Sequence, residues 1–258
     1  ATIMVVCHNI IPHEEHLLDT RLTKRFFGFI DSFIVLSKKV ENELLNIVPG
    51  AKYKYSPHPV YNIFKNTLSK EQAKAELNIA TKKVLLFFGL IRKYKGLDIL
   101  INAMEKINTE LDDYTLLIVG ECYENKAKYT DLIKNAGITD NVQCHYSFVP
   151  DNEVGKYFSA SDVVVLPYKS ASQSGIVQIA YNFDTPVIVS NVGGLPEIVD
   201  EGKTGYCVEP SSNAFAKAIK AFYEKDNINE LNSNISDYKS QFSWDAIVNA
   251  IEELVNVH

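Results

Sequence analysis

The feature that most constrains the fold of this chain is its repeated alternation of short, unbroken apolar runs with amphipathic stretches. Strands without polar alternation are typical of parallel sheets, because helices cover both faces of such sheets. We therefore predict an α/β fold built on a doubly wound parallel sheet. The six apolar runs, rich in Val, Ile, Leu and Phe, occupy residues 3–7, 32–36, 84–88, 114–119, 162–166 and 186–190.

Signals for helices lie between these runs. Apolar residues after Gly96 recur at spacings of three and four, which predicts a helix with one buried face from that residue. Ser69 and Gln72 form a capping-box pattern that opens a helix at 71–77, and Pro150 precedes another over 152–159. Strands and helices therefore alternate along the chain, as a parallel sheet requires.

Composition limits the classes of function. The chain has 258 residues, a net charge of −6 and no block of five or more Lys or Arg, so we expect no nucleic-acid partner. Its cysteines form no C-x-x-C pair, which argues against a zinc site or a disulfide framework; they are Cys7, Cys122, Cys144 and Cys207. No apolar run approaches the ~18–20 residues of a membrane span, and no signal peptide opens the chain, so we expect a cytoplasmic protein.

A domain boundary is predicted where Pro57 and Pro59 hold the segment 56–64 extended and remove two backbone donors. Residues 57–242 contain enough strands and helices for a complete doubly wound domain. Residues 1–56 contain too few to close a core of that type. We therefore expect the first segment to be the last part of a partial N-terminal α/β domain.

The chain begins at Ala1, inside an apolar run, so we expect a fragment of a longer protein. The apolar faces of residues 3–7 and 33–36 would then lack partners, which predicts either self-association through the incomplete domain or disorder. Residues 243–258 are predicted to form a C-terminal helix. Its apolar face carries Ile247, Ile251 and Leu254.

A basic loop follows the buried strand that ends at Gly89 and reaches to Gly96. Parallel α/β sheets bind ligands outside the carboxyl ends of their strands, where this loop must lie. Arg92 and Lys95 could together offset the charge of a diphosphate, and Arg adds a planar fork of donors. From these residues alone, a solvated basic turn is an equally good interpretation.

A second candidate anion site follows the apolar run 162–166. The small polar residues 170–175 lead into an apolar helix from Ile176, and free N–H groups at a helix start bind anions without a charged side chain. Gly175 would let a phosphate approach the backbone closely. A glycine-rich stretch at 193–197, GGLPE, is predicted to turn into another helix.

Taken in order, these stretches resemble the family-4 retaining glycosyltransferases of GT-B fold. Two early stretches, CHNIIPHE at 7–14 and DSFIVLS at 31–37, are similar to the end of that family's acceptor domain. The later stretches are similar to its donor domain; they are G-x-x-R-x-x-K-G at 89–96, IVGE at 118–121, YSFVPDNEV at 146–154, SDVVVLPY at 161–168, TPVIVSNVGGLPEIV at 185–199 and G-x-T-G-Y-x-V-E-P at 202–210.

The resemblance implies two facing Rossmann-like domains, with a nucleotide-sugar donor bound mainly to the second and a last helix that returns to the first. Arg92 and Lys95 would hold the diphosphate together with the backbone of 174–176, and the loop 146–149 would flank the base. The full set of donor-binding residues that it implies is Gly89, Arg92, Lys95, Gly120, Glu121, Ser147, Phe148, Val149, Ser174, Gly175, Ile176 and Gln178.

His8 matches the family histidine that approaches the transferred sugar, so it is the predicted catalytic residue. A cleft histidine without a role is the alternative for His8. His13 is equally consistent with a purely structural role. No role is predicted for His16, His58 or His145.

The chain departs from the family in one respect. The family commonly carries Glu-x7-Glu in this part of the donor domain, with the second Glu facing the ribose or the sugar, but this chain has no acidic residue between Asp162 and Asp184. The nearest polar side chain in the expected helical turn is Gln178, which could exchange hydrogen bonds with hydroxyls but carries no charge. The identity of the ribose ligand is therefore open. No Asp-x-Asp sequence is present, so we expect neither a metal nor any cofactor besides the donor.

The implied reaction is transfer of a hexose-like unit from a nucleotide sugar to a hydroxyl of a carbohydrate or lipid-linked acceptor, with retention at the anomeric carbon. Polysaccharide or glycoconjugate synthesis at the inner face of the membrane is the expected setting. As a fragment, the chain is expected to bind the donor without transferring sugar. A non-catalytic nucleotide-sugar-binding module and a sugar-nucleotide epimerase are alternatives, whereas a dehydrogenase is disfavoured because no G-x-G-x-x-G follows a strand.

Overall fold

The computed structural model describes residues 2–11, 19–65 and 67–255, and these residues contain two parallel sheets. The smaller sheet has the order β1-β2-β3 and the larger the order β6-β5-β4-β7-β8-β9. The strands are β1 (Met4–Cys7), β2 (Ser32–Val35), β3 (Tyr53–Tyr55), β4 (Lys83–Phe88), β5 (Tyr114–Val119), β6 (Val142–His145), β7 (Val163–Leu166), β8 (Val187–Ser190) and β9 (Gly205–Val208).

Helices connect most of these strands and cover both faces of the larger sheet, so the predicted doubly wound α/β fold is confirmed. They are α1 (Asp19–Phe27), α2 (Lys38–Ile47), α3 (Lys70–Glu76), α4 (Leu97–Ile107), α5 (Lys126–Asn135), α6 (Asp151–Ala160), α7 (Gly175–Asn182), α8 (Ser212–Glu224), α9 (Ile228–Tyr238) and α10 (Trp244–Val255). Single turns of 3₁₀-helix lie at Lys93–Lys95, Thr139–Asn141 and Lys239–Phe242.

All six apolar runs form strands, and three further strands were not predicted. The central strands β5 and β7 are buried along their whole length, as their sequences suggested. The additional strands β3, β6 and β9 each lie at an edge of a sheet and are only partly buried. An edge strand needs no continuous apolar run, because solvent covers part of its surface.

The GGLPE stretch does not turn into a helix, contrary to prediction. Residues 191–204 form a succession of turns, with Gly193 in the left-handed region at φ 59°. A Cβ at Gly193 would stand 1.6 Å from the carbonyl oxygen of Ala171, so the backbone packs directly on the loop before α7. Tertiary packing, rather than local helix formation, decides the path of this segment.

The smaller sheet is covered on both faces, which corrects the expectation that residues 33–36 lack partners. Phe33 and Val35 pack in a cluster with Val40 and Leu44 of α2. On the other face, Ile34 and Leu36 form a cluster completed by two residues of α10, Ile247 and Leu254. The C-terminal helix therefore lies on the smaller sheet, and the domain boundaries at 56 and 242 stay a prediction.

Candidate functional site

A cavity of about 500 Å³ lies at the carboxyl end of the larger sheet. The chain runs from β4 to β5 on one side and from β7 to β8 on the other, so the strand order reverses between the neighbouring strands β4 and β7. Ligands of open α/β sheets bind at such a switch point. The cavity is lined by Tyr61, Phe64, Phe88, Gly89, Leu90, Tyr94, Lys95, Gly120, Glu121, Phe148, Val149, Gln173, Ser174, Gly175, Ile176 and Ile179.

Two glycines allow the loops of this edge to approach one another. Gly120 follows β5 with φ 136°, and a Cβ there would stand 2.0 Å from the carbonyl oxygen of Gly89. Gly96 has φ 70°, and a Cβ there would stand 1.9 Å from the carbonyl oxygen of Pro167. The basic loop is therefore held against the end of β7, and no side chain larger than hydrogen fits at either contact.

The basic loop directs its two predicted cations to different places. The Lys95 Nζ lies 3.8 Å from the centroid of the Tyr168 ring and 5.3 Å from that of Tyr94, and Lys95 lines the cavity. The Arg92 guanidinium carbon lies 4.7 Å from the centroid of the Tyr123 ring, and Arg92 is not among the lining residues. The structure thus brings one cation of the predicted pair into the cavity and the other beside it.

The amino end of α7 opens onto the same cavity. Ser174 is the N-cap, and its hydroxyl accepts the N–H of Ile176 at 3.3 Å. The Tyr168 hydroxyl lies 3.2 Å from that of Ser174. This hydrogen bond links the loop before α7 to the tyrosine ring that Lys95 contacts. Helix-start amides, the positive end of the helix dipole and a lysine together make this end of the cavity suited to an anion.

The opposite end of the cavity is formed by the loops after β5 and β6. Phe148 is 70% exposed, so its ring offers an open face to a ligand, and Val149 lines the cavity beside it. Glu121 also lines this end and accepts a hydrogen bond from the Tyr123 hydroxyl at 3.0 Å, which raises the pKa of Tyr123. Ser147, predicted to flank a base, is exposed but does not line the cavity.

Gln178, the predicted polar residue of this helical turn, lies away from the cavity lining. Its side chain is fully buried, is not among the lining residues, and neither amide atom has a hydrogen-bond partner within the described residues. Ile179, one position further, lines the cavity together with Gly175 and Ile176. The helical phase explains this position. Gly175, Ile176 and Ile179 point to one side of α7, whereas position 178 points to another side.

His8 lies at the edge of the site and reaches it through Gln173. The amide Nε2 of Gln173 donates to Nδ1 of His8 at 2.8 Å, so Nδ1 carries no proton and the neutral ring carries its proton on Nε2. Burial lowers the pKa of His8, which favours the same neutral form. His8 itself does not line the cavity, whereas Gln173 does. His13 and His16 lie outside the described residues.

His58, for which no role was predicted, stands beside His8 with a ring-centroid distance of 5.5 Å. Its Nδ1 donates to the carbonyl oxygen of Pro59 at 2.8 Å, and its Nε2 accepts from the Tyr61 hydroxyl at 3.1 Å. Tyr61 lines the cavity and packs against Gly175, where a Cβ would stand 3.0 Å from the tyrosine ring. The segment with two prolines therefore forms a wall of the site as well as a connection.

Sequence reasoning also missed several other lining residues. They are apolar or uncharged and lie in stretches whose motifs drew attention to glycines and cations instead. The double proline was the single signal for two of them, Tyr61 and Phe64, because an extended segment can cross the end of a sheet. The residues missed are Tyr61, Phe64, Phe88, Leu90, Tyr94, Gln173 and Ile179.

The described part of the chain shows neither a metal-binding cluster nor a membrane-spanning helix. No group of three or more His, Cys, Asp or Glu within 2–11, 19–65 and 67–255 could hold a metal ion. Over the same ranges, no helix has both the length and the apolar character needed to cross a membrane.

Solved structures with the same fold cover nearly the whole chain. HepE (Alr3699) from Anabaena in complex with UDP superposes with a TM-score of 0.84 over 100% of this chain and 72% of that protein, at 19% identity. Further structures of HepE contain UDP with glucose or UDP-glucose. Sucrose-phosphate synthase from Thermosynechococcus elongatus superposes with a TM-score of 0.82 over 98% of this chain and 66% of that protein, at 23% identity.

Curated relatives are similar over most of this chain. Spore coat protein SA of Bacillus subtilis is 26% identical over 201 residues, and D-inositol 3-phosphate glycosyltransferase of Corynebacterium aurimucosum is 30% identical over 192 residues. The matches cover 74% and 71% of this chain but 52% and 45% of those proteins, so the chain spans about half the length of these relatives. The model of the family Glycosyl transferases group 1 matches residues 69–242, which include the larger sheet and every predicted donor-binding residue, and the chain belongs to that family.

Proposed function

We propose that this chain binds the nucleotide-sugar donor of a retaining glycosyltransferase, and that the whole protein transfers a hexose-like unit to an acceptor hydroxyl. One observation carries the proposal: a single cavity joins an anion-binding end, formed by Lys95 and the start of α7, to an open aromatic face at Phe148. A nucleoside diphosphate has the same succession of an anionic group, a pentose and a flat base. The HepE complexes with UDP and UDP-glucose make uracil the first base to test.

The cavity supplies what departure of a nucleoside diphosphate needs. Negative charge grows on the diphosphate as the bond to the sugar breaks, and preorganised cations and amides stabilise that charge most strongly in the transition state. We assign this role to Lys95 and the amides of 174–176, with Arg92 acting from beside the cavity. No metal is invoked, because these groups already carry the compensating positive charge.

His8 is proposed as the residue that approaches the transferred sugar. Because its Nδ1 accepts from Gln173, its Nε2–H is the donor that can point toward a sugar hydroxyl. Gln173 lines the cavity, so it would fix the ring of His8 with respect to the bound donor.

Binding is tested with a thermal-shift panel of UDP, GDP, ADP and their sugars, followed by titration calorimetry of the nucleotides that stabilise the chain. A ligand that binds the folded state raises the melting temperature, and the increase grows with the ratio of free ligand concentration to the dissociation constant. We expect at least one nucleoside diphosphate to raise it and inorganic phosphate at the same concentration to leave it unchanged. No shift with any of the nucleotides would refute donor binding.

A non-catalytic donor-binding module is the second candidate. It is favoured by Ile179, an uncharged side chain on the wall of α7 that faces the ligand. Incubation of the full-length protein with labelled nucleotide sugar and a carbohydrate or lipid-linked acceptor separates the two, because only the transferase moves label to the acceptor. We also propose that the whole protein uses a carbohydrate or lipid-linked acceptor and acts in polysaccharide synthesis. Its proposed position is peripheral, at the inner face of the membrane.

A further inference from the structure

The wall between the two ends of the donor cavity is apolar. Ile176 and Ile179 face the cavity from α7, and Phe88 faces it from the end of β4. Ile176 crosses to the sheet, since its Cδ1 lies 3.3 Å from the position that a Cβ on Gly89 would take. A ligand that extends from the start of α7 to the aromatic end of the cavity must therefore contact these side chains.

In a nucleoside diphosphate, the pentose is the part that would lie against this apolar wall. Its 5′ carbon carries the diphosphate and its 1′ carbon carries the base, so the ring lies between the groups bound at the two ends. With the diphosphate at 174–176 and the base beside Phe148, the pentose faces Ile176 and Ile179. Aliphatic side chains can pack against the ring but cannot accept hydrogen bonds from its hydroxyls.

No side chain of α7 supplies the missing acceptor. The amide of Gln178 is buried and outside the cavity. Among the residues that the structure describes around the cavity, Glu121 is the single carboxylate, and it stands at the aromatic end, where it already accepts the Tyr123 hydroxyl. Apart from Lys95, the other polar side chains that line the cavity are uncharged; they are those of Tyr61, Tyr94, Gln173 and Ser174. No carboxylate on the wall formed by α7 therefore accepts the 2′-hydroxyl of a ribonucleotide.

We propose that this site does not distinguish ribonucleotides from 2′-deoxyribonucleotides, so that sugars carried on 2′-deoxyribonucleoside diphosphates belong to its class of donors. The inference rests on the proposed function, because it places the pentose through the diphosphate and the base. It goes beyond that function by stating which part of the donor is not recognised.

The direct test is calorimetric titration of the chain with matched pairs that differ by one hydroxyl: UDP and dUDP, GDP and dGDP, ADP and dADP. We expect the two dissociation constants of the tightest-binding pair to agree within about threefold. A carboxylate that accepted the 2′-hydroxyl would instead produce a preference of roughly tenfold to a hundredfold for the ribonucleotide. A tenfold preference for the ribonucleotide overturns the inference, whereas failure of all six nucleotides to bind overturns the proposed function beneath it.

Variants at Ile179 test the placement of the pentose independently. Ile179→Glu, or Ile179→Gln if the charged variant does not fold, puts an acceptor on the apolar wall and should create a preference of about fivefold or more for the ribonucleotide. Ile179→Leu keeps the wall apolar and should preserve equal affinities. If a folded acceptor variant still binds both members of a pair equally, the pentose does not lie on this wall and the inference fails.

Glu121 is the remaining carboxylate that could recognise the hydroxyl. Glu121→Gln should change the affinities for UDP and dUDP by the same factor, because we place this residue at the base rather than at the pentose. A change confined to UDP would show that Glu121 holds the 2′-hydroxyl and would overturn the inference.

Discussion

At Lys95 the ammonium group lies against the rings of Tyr94 and Tyr168, whereas the Arg92 guanidinium lies against the ring of Tyr123. A cation over a ring face is held electrostatically and keeps hydrogen-bond donors for other partners. Tyr168 follows β7 and Tyr123 follows β5, and these strands lie on opposite sides of β4. We therefore expect the two cations to act on different parts of a diphosphate. Lys95 would make the closer contact, since it lines the cavity.

Removal of these cations should weaken nucleotide binding unequally. Lys95→Ala should lower the affinity for the best nucleoside diphosphate at least about tenfold, because a charge-assisted hydrogen bond contributes roughly 1.5–3 kcal/mol. Arg92→Ala should have a smaller effect, and the double variant should bind too weakly for calorimetry. Lys93→Ala removes an exposed cation from the same turn and is the matched control. Unchanged affinity in the double variant would show that this loop does not hold the diphosphate.

The two neighbouring histidines should make stability depend on pH. Burial lowers the pKa of His8, and burial and the neighbouring His8 lower that of His58 while its bond to Pro59 opposes them. A histidine whose pKa is lowered on folding binds fewer protons in the folded state, so its contribution is complete above the unfolded pKa of about 6.5 and is lost as pH falls below it. We expect the free energy of unfolding in urea to fall between about pH 7.5 and pH 5.

His58→Gln should reduce that pH dependence, because Gln can accept the Tyr61 hydrogen bond without titrating. The comparison needs the slope of stability against pH rather than stability at one pH, since the substitution also changes packing. An identical slope in the variant and the wild type would exclude His58 as a source of the effect.

At the scale of elements, the amino end of α2 is capped by a residue distant in sequence. The Ser37 hydroxyl accepts the N–H of Val40, and the Glu197 carboxylate accepts the N–H groups of Lys38 at 2.7 Å and Lys39 at 3.3 Å. The Lys39 Nζ in turn donates to the carbonyl oxygen of Ala171 at 2.9 Å, in the loop that leads into α7. The smaller sheet's helix and the wall of the cavity are thus joined through a few polar contacts.

The contact between Glu197 and α2 could not be predicted from the sequence. The buried strands could be predicted because continuous apolar runs report burial on both faces, and β5 matches its prediction to the residue. The stretch 193–197 was predicted to turn into a helix because local pattern does not reveal that the Glu197 carboxylate caps α2, accepting from the N–H of Lys39, 158 residues earlier. Gln178 illustrates a similar limit, since a shift of one residue in helical phase separates Ile179, which lines the cavity, from Gln178, which is buried in the interior.

Glu197→Ala should lower the free energy of unfolding by about 1–2 kcal/mol, because it removes the acceptor of two N–H groups at a helix start. Urea denaturation measures the change. Glu252→Ala removes an exposed carboxylate from α10 and should stay within about 0.5 kcal/mol of the wild type. Equal stability of Glu197→Ala and the control would mean that water replaces the cap without loss.

At the scale of the whole molecule, α10 joins the end of the chain to the smaller sheet. Leu254 and Ile247 cover one face of β2, the Lys54 Nζ lies 2.6 Å from the Glu253 carboxylate, and the Trp244 indole donates to the carbonyl oxygen of Val60 at 3.0 Å. The sheet nevertheless has only three strands, and β1 pairs on one side alone within the described residues. Large apolar side chains are exposed on and beside β1, on α1 and in the turn after α1: Ile3, Val6, Leu22, Phe26 and Phe29.

This edge should make the 258-residue chain self-associate. An unpaired strand edge can add a strand from another copy, and neighbouring apolar side chains lose contact with water when it does. We expect the mean mass in sedimentation equilibrium to rise with protein concentration. Val6→Lys places a charge on β1 and should shift the distribution toward monomer, whereas Val248→Lys, which changes an exposed valine of α10, should not. A concentration-independent monomer would show that β1 needs no further partner, and equal shifts in both variants would place the contact away from this edge.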